Sequence, residues 1–314
     1  MLAVPETLKG RHFTRVADWS RDELLLLLDV ADTLKVAQRG REEHRLLPGR
    51  TLGMIFQKPS TRTRVSFEVG IAQLGGTGLY LAAGDLQLGR GETIKDTATV
   101  LSRYLDAIMI RTFAQSDVEE LAQNAEIPVI NGLTDSAHPC QALADAMTIR
   151  ERLGRVEGVR LTYLGDGNNV CSSLMVIAAK LGMHFVAATP AGYEPDEKAV
   201  TSAQREASET GATITLSTDA RDAARGADVL YTDVWTSMGQ EDERARRLRD
   251  LEGYGIDDAL LELAGEDAIV LHCLPAHYGE EITEEVLYGV RSAVWDEAEN
   301  RLHAQKALMA LVIR

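Results

Sequence analysis

A chain of 314 residues with 45% hydrophobic side chains is long enough for two cores of ordinary domain size. Its net charge of −15 repels nucleic acid and anionic membrane surfaces alike, so any anion site has to be a local cationic pocket. Cys140, Cys171 and Cys273 are far apart and lack CxxC spacing, which argues against a disulfide framework or a zinc site and suits a reducing cytoplasm.

The first predicted element is a helix over 20–38. Its run Leu24 to Leu28 is too short to cross a bilayer and reads as a core face, and no signal-like pattern precedes it. A buried strand at 52–56 leads to a helix over 65–74, with Val65, Val69 and Ala72 on one face and Ser60 and Thr61 at its start. A short strand at 75–80, a polar loop at 85–92 and a helix at 94–105 follow. Next come a strand at 107–110 ending in Arg111, a helix at 117–124, a strand at 127–130 and a long helix at 139–153. A second alternating series contains strands at 159–164, around Ala187, and at 214–216, 229–231 and 269–271. A final helix over 296–313 carries Leu302, Met309 and Val312 on one stripe.

Strands and helices alternating at this spacing predict an α/β fold of two doubly wound parallel-sheet domains, 1–150 and 151–295. The segment 296–314 is expected to pack back on the first domain and complete it. Ligands of such sheets bind beyond the carboxyl ends of the strands, which predicts an interdomain site.

Ser60-Thr61-Arg62-Thr63-Arg64 combines a helix start, where N–H groups and the dipole favour an anion, with hydroxyls and two guanidinium forks. A phosphate fits this chemistry. No Gly-x-x-x-x-Gly-Lys-Ser/Thr run is present, so the phosphate belongs to a small metabolite rather than a nucleotide in a P-loop. Arg111 at a strand end meets either the same anion or a carboxylate. In His138-Pro139-Cys140-Gln141 the histidine precedes a proline suited to a first helical turn, a position that keeps imidazole neutral and able to donate to a carbonyl oxygen, or else simply caps the helix.

Gly165-Asp166-Gly167-Asn168-Asn169 lacks the third glycine and the later acidic residue of a dinucleotide fingerprint, which excludes NAD. Its asparagines either grip a carboxylate or amide or cap the next helix. The segment from Asp233 through Ser237 and Met238 to Glu241 suits a closing loop in which Asp233 holds an ammonium group. His272-Cys273-Leu274-Pro275 ends a strand with a thiol that either faces the cleft or only packs.

Together these patches resemble the aspartate/ornithine carbamoyltransferase family over nearly the whole chain. Ser-Thr-Arg-Thr and His-Pro-x-Gln match the family at large. Gly-Asp-Gly-Asn-Asn, Asp-Val-Trp-x-Ser-Met-Gly and His-Cys-Leu-Pro are similar to its ornithine branch. The resemblance implies that Ser60, Thr61, Arg62 and Thr63 hold the phosphate of carbamoyl phosphate and that Arg111, His138 and Gln141 contact its carbamoyl and phosphate oxygens. It implies that Gln87 reaches in from a neighbouring subunit of a homotrimer. By the same resemblance Asn169, Asp233, Ser237 and Met238 bind L-ornithine, and Cys273, Leu274 and Arg301 line the reaction centre.

The reaction so implied is attack of the ornithine δ-amino nitrogen on the carbamoyl carbon, giving L-citrulline and phosphate, with Arg111, His138, Cys273 and Asp233 as the catalytic set. No cofactor or metal is expected, because guanidinium groups neutralise the phosphate and no clustered Asp/His ligands are evident in the sequence. Putrescine and N-acetylornithine are the competing acceptors.

Overall fold

The computed structural model describes residues 6–87, 91–237, 239 and 241–314. Contacts divide the chain into one unit of Met1–Ala144 with Asn300–Arg314 and a second of Asp145–Glu299. Both boundaries fall inside helices, Pro139–Leu153 and Val294–Val312, which also contain the expected division points 150 and 295.

In the first unit, strands β1 (Thr51–Phe56), β2 (Thr77–Ala82), β3 (Ala107–Arg111) and β4 (Val129–Leu133) form a parallel sheet in the order β2-β1-β3-β4. Its helices are α1 (Arg21–Arg39), α2 (Thr61–Gln73), α3 (Ile94–Leu101), α4 (Gln115–Asn124) and the start of α5 (Pro139–Leu153). β3 is buried along its whole length, as the continuous apolar run of a strand covered on both faces requires. Ile55, Ile108 and Ile110 pack with Ala98, Val118 and Leu121 of α3 and α4. Ser20 caps α1 in a reciprocal capping box with Glu23, and Leu24, Leu27 and Leu28 are its core face.

Two local expectations are corrected. α3 stops at Leu101 instead of 105, since Ser102 turns its hydroxyl onto the Ala98 carbonyl at 2.7 Å and Leu105 folds over Gly53, where a Cβ would stand 2.4 Å from Leu105 Cδ1. β4 begins at Val129, because Pro128 has no N–H to give the ladder. Val65, Val69 and Ala72 do share a face of α2, but it is the exposed one; Phe67, Gly70 and Ile71 turn inward.

The inward glycine has a reason in the last helix, α12 (Val294–Val312). A Cβ on Gly70 would lie 3.0 Å from Met309 Cε and 3.6 Å from Leu302 Cδ1, so the C-terminal segment packs on α2. It is tied down further by Lys35, which donates to Asn300 Oδ1 at 2.7 Å, and by Lys9, which donates to the Ala310 and Ile313 carbonyls at 2.9 and 2.6 Å.

The second unit has a five-stranded parallel sheet, ordered β7-β6-β5-β8-β9, of β5 (Arg160–Leu164), β6 (His184–Ala188), β7 (Ile214–Ser217), β8 (Val229–Thr232) and β9 (Ile269–His272). α6 (Asn169–Leu181) and α7 (Glu197–Thr210) are its long helices, and α8 (Ala220–Ala224), α9 (Arg244–Asp250), α10 (Asp258–Leu261) and α11 (Glu284–Leu287) are short. One core joins Leu164, Leu230 and Val270 of the sheet to Ala224, Leu260 and Val286 of the helices.

Each sheet reverses its winding once, between β1 and β3 in the first and between β5 and β8 in the second. Such switch points leave a crevice beyond the strand ends.

Because α12 completes the first unit, Met309→Ala is expected to destabilise that unit by about 2–5 kcal/mol, the usual range for truncating a buried methionine. Amide exchange should accelerate in β1 and β3 while β5 and β8 keep their protection.

Candidate active site

The first unit gathers cations at its switch point. Ser60 caps α2, its hydroxyl accepting the Thr63 N–H at 3.3 Å, and Thr61 and Arg62 occupy the first turn, where helix N–H groups lack intrahelical partners. The Thr63 hydroxyl accepts from Arg301 Nη2 at 3.2 Å, and Arg301 Nη1 donates to Gln141 Oε1 at 2.7 Å. Arg301, Gln141 and Thr63 are all buried. With the Gln305 amide turned so that its oxygen faces the guanidinium, that oxygen accepts from Arg301 Nη2 and Nε at 2.9 and 3.0 Å. One α12 side chain thereby fixes both the α2 start and the α5 start.

His138 follows β4, and its carbonyl accepts the Gln141 and Ala142 N–H groups that open α5. Its ring is buried, and its pKa lies well below the ordinary histidine range. Burial is the largest cause, followed by the positive charges of Arg301, Arg111 and Arg62. The ring is therefore a neutral imidazole within the field of three guanidinium groups, able to give a hydrogen bond to an oxygen without adding a proton. Arg111, buried at the end of β3, sits where the β3–β4 register shifts. Lys58, not singled out by sequence reasoning, is also buried; it pairs with Asp135 and lies 4.3 Å over the Phe113 ring. Cys140 is a core thiol, donating to the Asn131 carbonyl at 3.3 Å and pushed up to about 12 by burial.

The second unit gathers acids. Cys273 Sγ donates to Asp233 Oδ1 at 3.0 Å, and the other Asp233 oxygen accepts from Asn168 Nδ2 at 2.8 Å. Asn168 also caps α6, its carbonyl oxygen accepting the Val170 and Cys171 N–H groups at 2.9 and 3.1 Å. Capping and site-building, the two readings of this asparagine pair, are thus both carried out by Asn168, while Asn169 begins the helix half-buried. Asp166 pairs with Arg247 at 2.8 Å, and Arg247 also donates to the Trp235 carbonyl at 3.1 Å, pinning the segment after Asp233. Gly167 is required because a Cβ there would come within 2.4 Å of the Pro195 nitrogen.

Burial, then the Asp233 charge and hydrogen bond, then Glu297 and Asp145, hold the Cys273 thiol well above the ordinary cysteine range. His272 plays a framework part: Nδ1 accepts the Leu274 N–H at 2.8 Å and Nε2 meets Glu281 Oε1 at 3.1 Å, which puts the ring proton on Nε2. Leu274 has φ 59°, a conformation that costs a leucine roughly 1–2 kcal/mol, and the His272 ring supports it.

The described residues thus bring Ser60, Arg62, Thr63, Arg111, His138, Gln141 and Arg301 into one cluster and Asp233 and Cys273 into another. Thr61 and Gln87 are exposed, Ser237 and Leu274 are half-buried, and Met238 lies outside the described residues. Two groups place metal-capable atoms within 4.8 Å of one another, Asp233–His272–Cys273 and His277–Glu280–Glu281. In the first, both His272 nitrogens and the thiol are engaged as above. In the second, Glu280 pairs with Arg244, and Glu281 serves His272 and the His277 N–H.

Residues 11–151 match the family model "Aspartate/ornithine carbamoyltransferase, carbamoyl-P binding domain", and residues 157–312 match its "Asp/Orn binding domain". The chain is 57% identical over 308 residues to the ornithine carbamoyltransferase of Oceanobacillus iheyensis, covering 98% of this chain and 96% of that one. It is 54% identical over 307 residues to the anabolic ornithine carbamoyltransferase of Pyrococcus furiosus, covering 98% of each. The solved structure of ornithine carbamoyltransferase from Pyrococcus furiosus superposes with TM-score 0.96, covering 99% of each chain. That from Gloeobacter violaceus, at 48% identity, gives 0.87, covering 98% of this chain and 99% of that one.

The unfolded chain takes up a proton on His138 near pH 6.5 while the folded chain resists it to well below that. Stability on this account is fully present above pH 6.5 and is lost as pH falls below it. Thermal melts between pH 5 and 8 should show a shallower acid-side decline in His138→Gln than in the parent.

Proposed function

The chain belongs to the aspartate/ornithine carbamoyltransferase family, and from that premise we propose that it transfers the carbamoyl group of carbamoyl phosphate to the δ-amino group of L-ornithine, releasing L-citrulline and phosphate. The single observation that carries this reading is the neutral His138 ring set among Arg62, Arg111 and Arg301 beside the Ser60-capped helix start.

Carbamoyl phosphate takes the first cluster. Its phosphate meets the first-turn N–H groups of α2, the Ser60, Thr61 and Thr63 hydroxyls and Arg62, a helix-end anion site reinforced by charge-assisted donors. Arg111, His138 and Gln141 face the carbamoyl and phosphate oxygens, with Arg301 ordering Thr63 and Gln141. As the amine attacks, charge grows on the carbamoyl oxygen, and fixed donors in a water-poor pocket stabilise it more than they stabilise the trigonal ground state. A neutral His138 donates here without first losing or gaining a proton.

L-Ornithine takes the second cluster. The Asp233 carboxylate, oriented by Asn168 and the Cys273 thiol, attracts an ammonium group; Asn169, Ser237 and Met238 are the further ornithine-binding residues, and Cys273 and Leu274 line the reaction centre. An alkylamine has a pKa near 10.4, so only about one in a thousand is neutral at pH 7 and proton loss precedes attack. The proton leaves toward the Asp233–Cys273 pair. Arginine biosynthesis is the matching metabolic role.

The working assembly in this reading is a cytoplasmic homotrimer in which Gln87 completes a neighbour's site. Its support is the exposure of the apolar side chains Val65 (52%) and Val69 (38%) on α2 and Leu79 (44%) and Tyr80 (39%) on the edge strand β2, surface that a second subunit would cover. No helix among the described residues is long and apolar enough to cross a membrane.

Citrulline formation from carbamoyl phosphate and an acceptor panel tests the reading: ornithine should be the preferred acceptor, and preference for putrescine or N-acetylornithine would overturn it. Arg111→Met is expected to lower kcat by about 10²–10³, the effect of removing one oxyanion donor. Turnover should rise from pH 6 to 9, and a flat profile would exclude amine ionisation as the limit.

A further inference from the structure

The second unit contains a buried acidic pair that the reaction as described leaves without a role. Asp145 on α5 and Glu297 on α12 are 0% and 1% exposed and are hydrogen-bonded to each other. The Tyr231 hydroxyl on β8 lies 3.2 Å from Glu297 Oε1 and 3.4 Å from Asp145 Oδ1, and Glu297 Oε2 accepts the His272 N–H at 2.9 Å. Two carboxyl groups this close and this dry cannot both be ionised, so the pair retains a proton. Burial first, then the Asp145 charge and hydrogen bond, raise Glu297 well above the ordinary carboxylate range, so the two carboxyl groups share that proton.

The contacts of the pair are specific. Tyr231 stands two residues before Asp233, and His272 stands one residue before Cys273, so Glu297 grips both strand ends whose next residues make the 3.0 Å thiol–carboxylate contact. A buried acid is an expensive way to fill space; an apolar side chain of the same volume would pack with less desolvation. What the acid adds is a directional acceptor for an edge N–H and a partner for a tyrosine hydroxyl.

We propose that Glu297 is a positioning residue for the amine substrate, holding the Asp233–Cys273 contact in place through the His272 N–H and the Tyr231 hydroxyl, with Asp145 sharing its proton. This rests on the reading that the second cluster receives ornithine. The titratable and charged groups facing the pair are Tyr231 and Asp233 from β8 and its continuation and Cys273 after β9; Arg152 and Asp296 pair with each other at 2.6 Å on the same two helices. Loss of the shared proton at alkaline pH adds a second negative charge behind this contact and loosens it.

The test is steady-state kinetics with each substrate varied, from pH 6 to 10, on the parent, Glu297→Gln and Glu297→Leu. Glutamine keeps the acceptor for His272 and offers an N–H to Asp145 but does not ionise; leucine fills the space with neither bond. The leucine variant should raise the ornithine KM about tenfold or more, as loss of a buried hydrogen bond predicts, with the carbamoyl phosphate KM within about twofold. The parent's ornithine KM should rise at alkaline pH, and the glutamine variant should keep that KM within about threefold of the parent at neutral pH and lose the rise. An unchanged ornithine KM in the leucine variant, or an equal rise in both KM values, overturns the inference. If the leucine variant does not fold, the glutamine variant decides: an ornithine KM profile superimposable on the parent's refutes it. A parent that makes no citrulline overturns the parent reading itself, which separates the two failures.

Discussion

A dianionic phosphoryl group bound by a chain of net charge −15 demands that cations be concentrated at one place. The first unit meets this with Arg62, Arg111 and Arg301 acting on one buried imidazole, beside the open N–H groups of a helix start. Much else follows from that arrangement. The imidazole stays neutral, since its burial and the three nearby guanidinium charges all disfavour the protonated form. The guanidinium groups have to arrive from different elements, and Arg301 in particular comes from the C-terminal helix to hold Thr63 and Gln141, 238 and 160 residues away in sequence. Gly70 on α2 and the buried face of α12 are the packing that makes this approach possible.

The second unit solves the opposite problem. Asp145, Asp166, Asp233, Glu281 and Glu297 are all buried around one half-buried thiol, and each is managed differently. Asp166 has a guanidinium partner, Glu281 a histidine ring and a backbone N–H, Asp145 and Glu297 a shared proton and a tyrosine hydroxyl, and Asp233 an amide and the thiol itself. The negative potential left at Asp233 suits an amine. Placing a cationic cradle at one switch point and an acidic one at the other matches a donor that is an anion and an acceptor that carries ammonium.

The elements that carry chemistry were legible because their signals are local. Pro139–Leu153 starts at its proline as read, and β1, β3, β5, β8 and β9 fall within a residue of their apolar runs. Ser60 is the cap its neighbours suggested. Misread ends are those where a tertiary contact or backbone chemistry overrides pattern: α3 ends early for Leu105 to reach Gly53, and β4 starts late because Pro128 has no N–H.

By itself the sequence determined the α/β alternation, the positions of the strand ends, and which side chains of phosphate- and amine-binding type stand beyond them. These are properties of spacing and of residue chemistry over a few turns of chain. Tertiary structure alone decided that Asn168 orients Asp233 while capping α6, that His272 is a brace, that Arg301 joins Thr63 and Gln141, and that Asp145 and Glu297 meet behind the thiol. The physical reason is that burial and the distance between charges set these roles, and both arise only once the chain has packed, across 65 residues for Asn168 and Asp233 and 238 for Thr63 and Arg301.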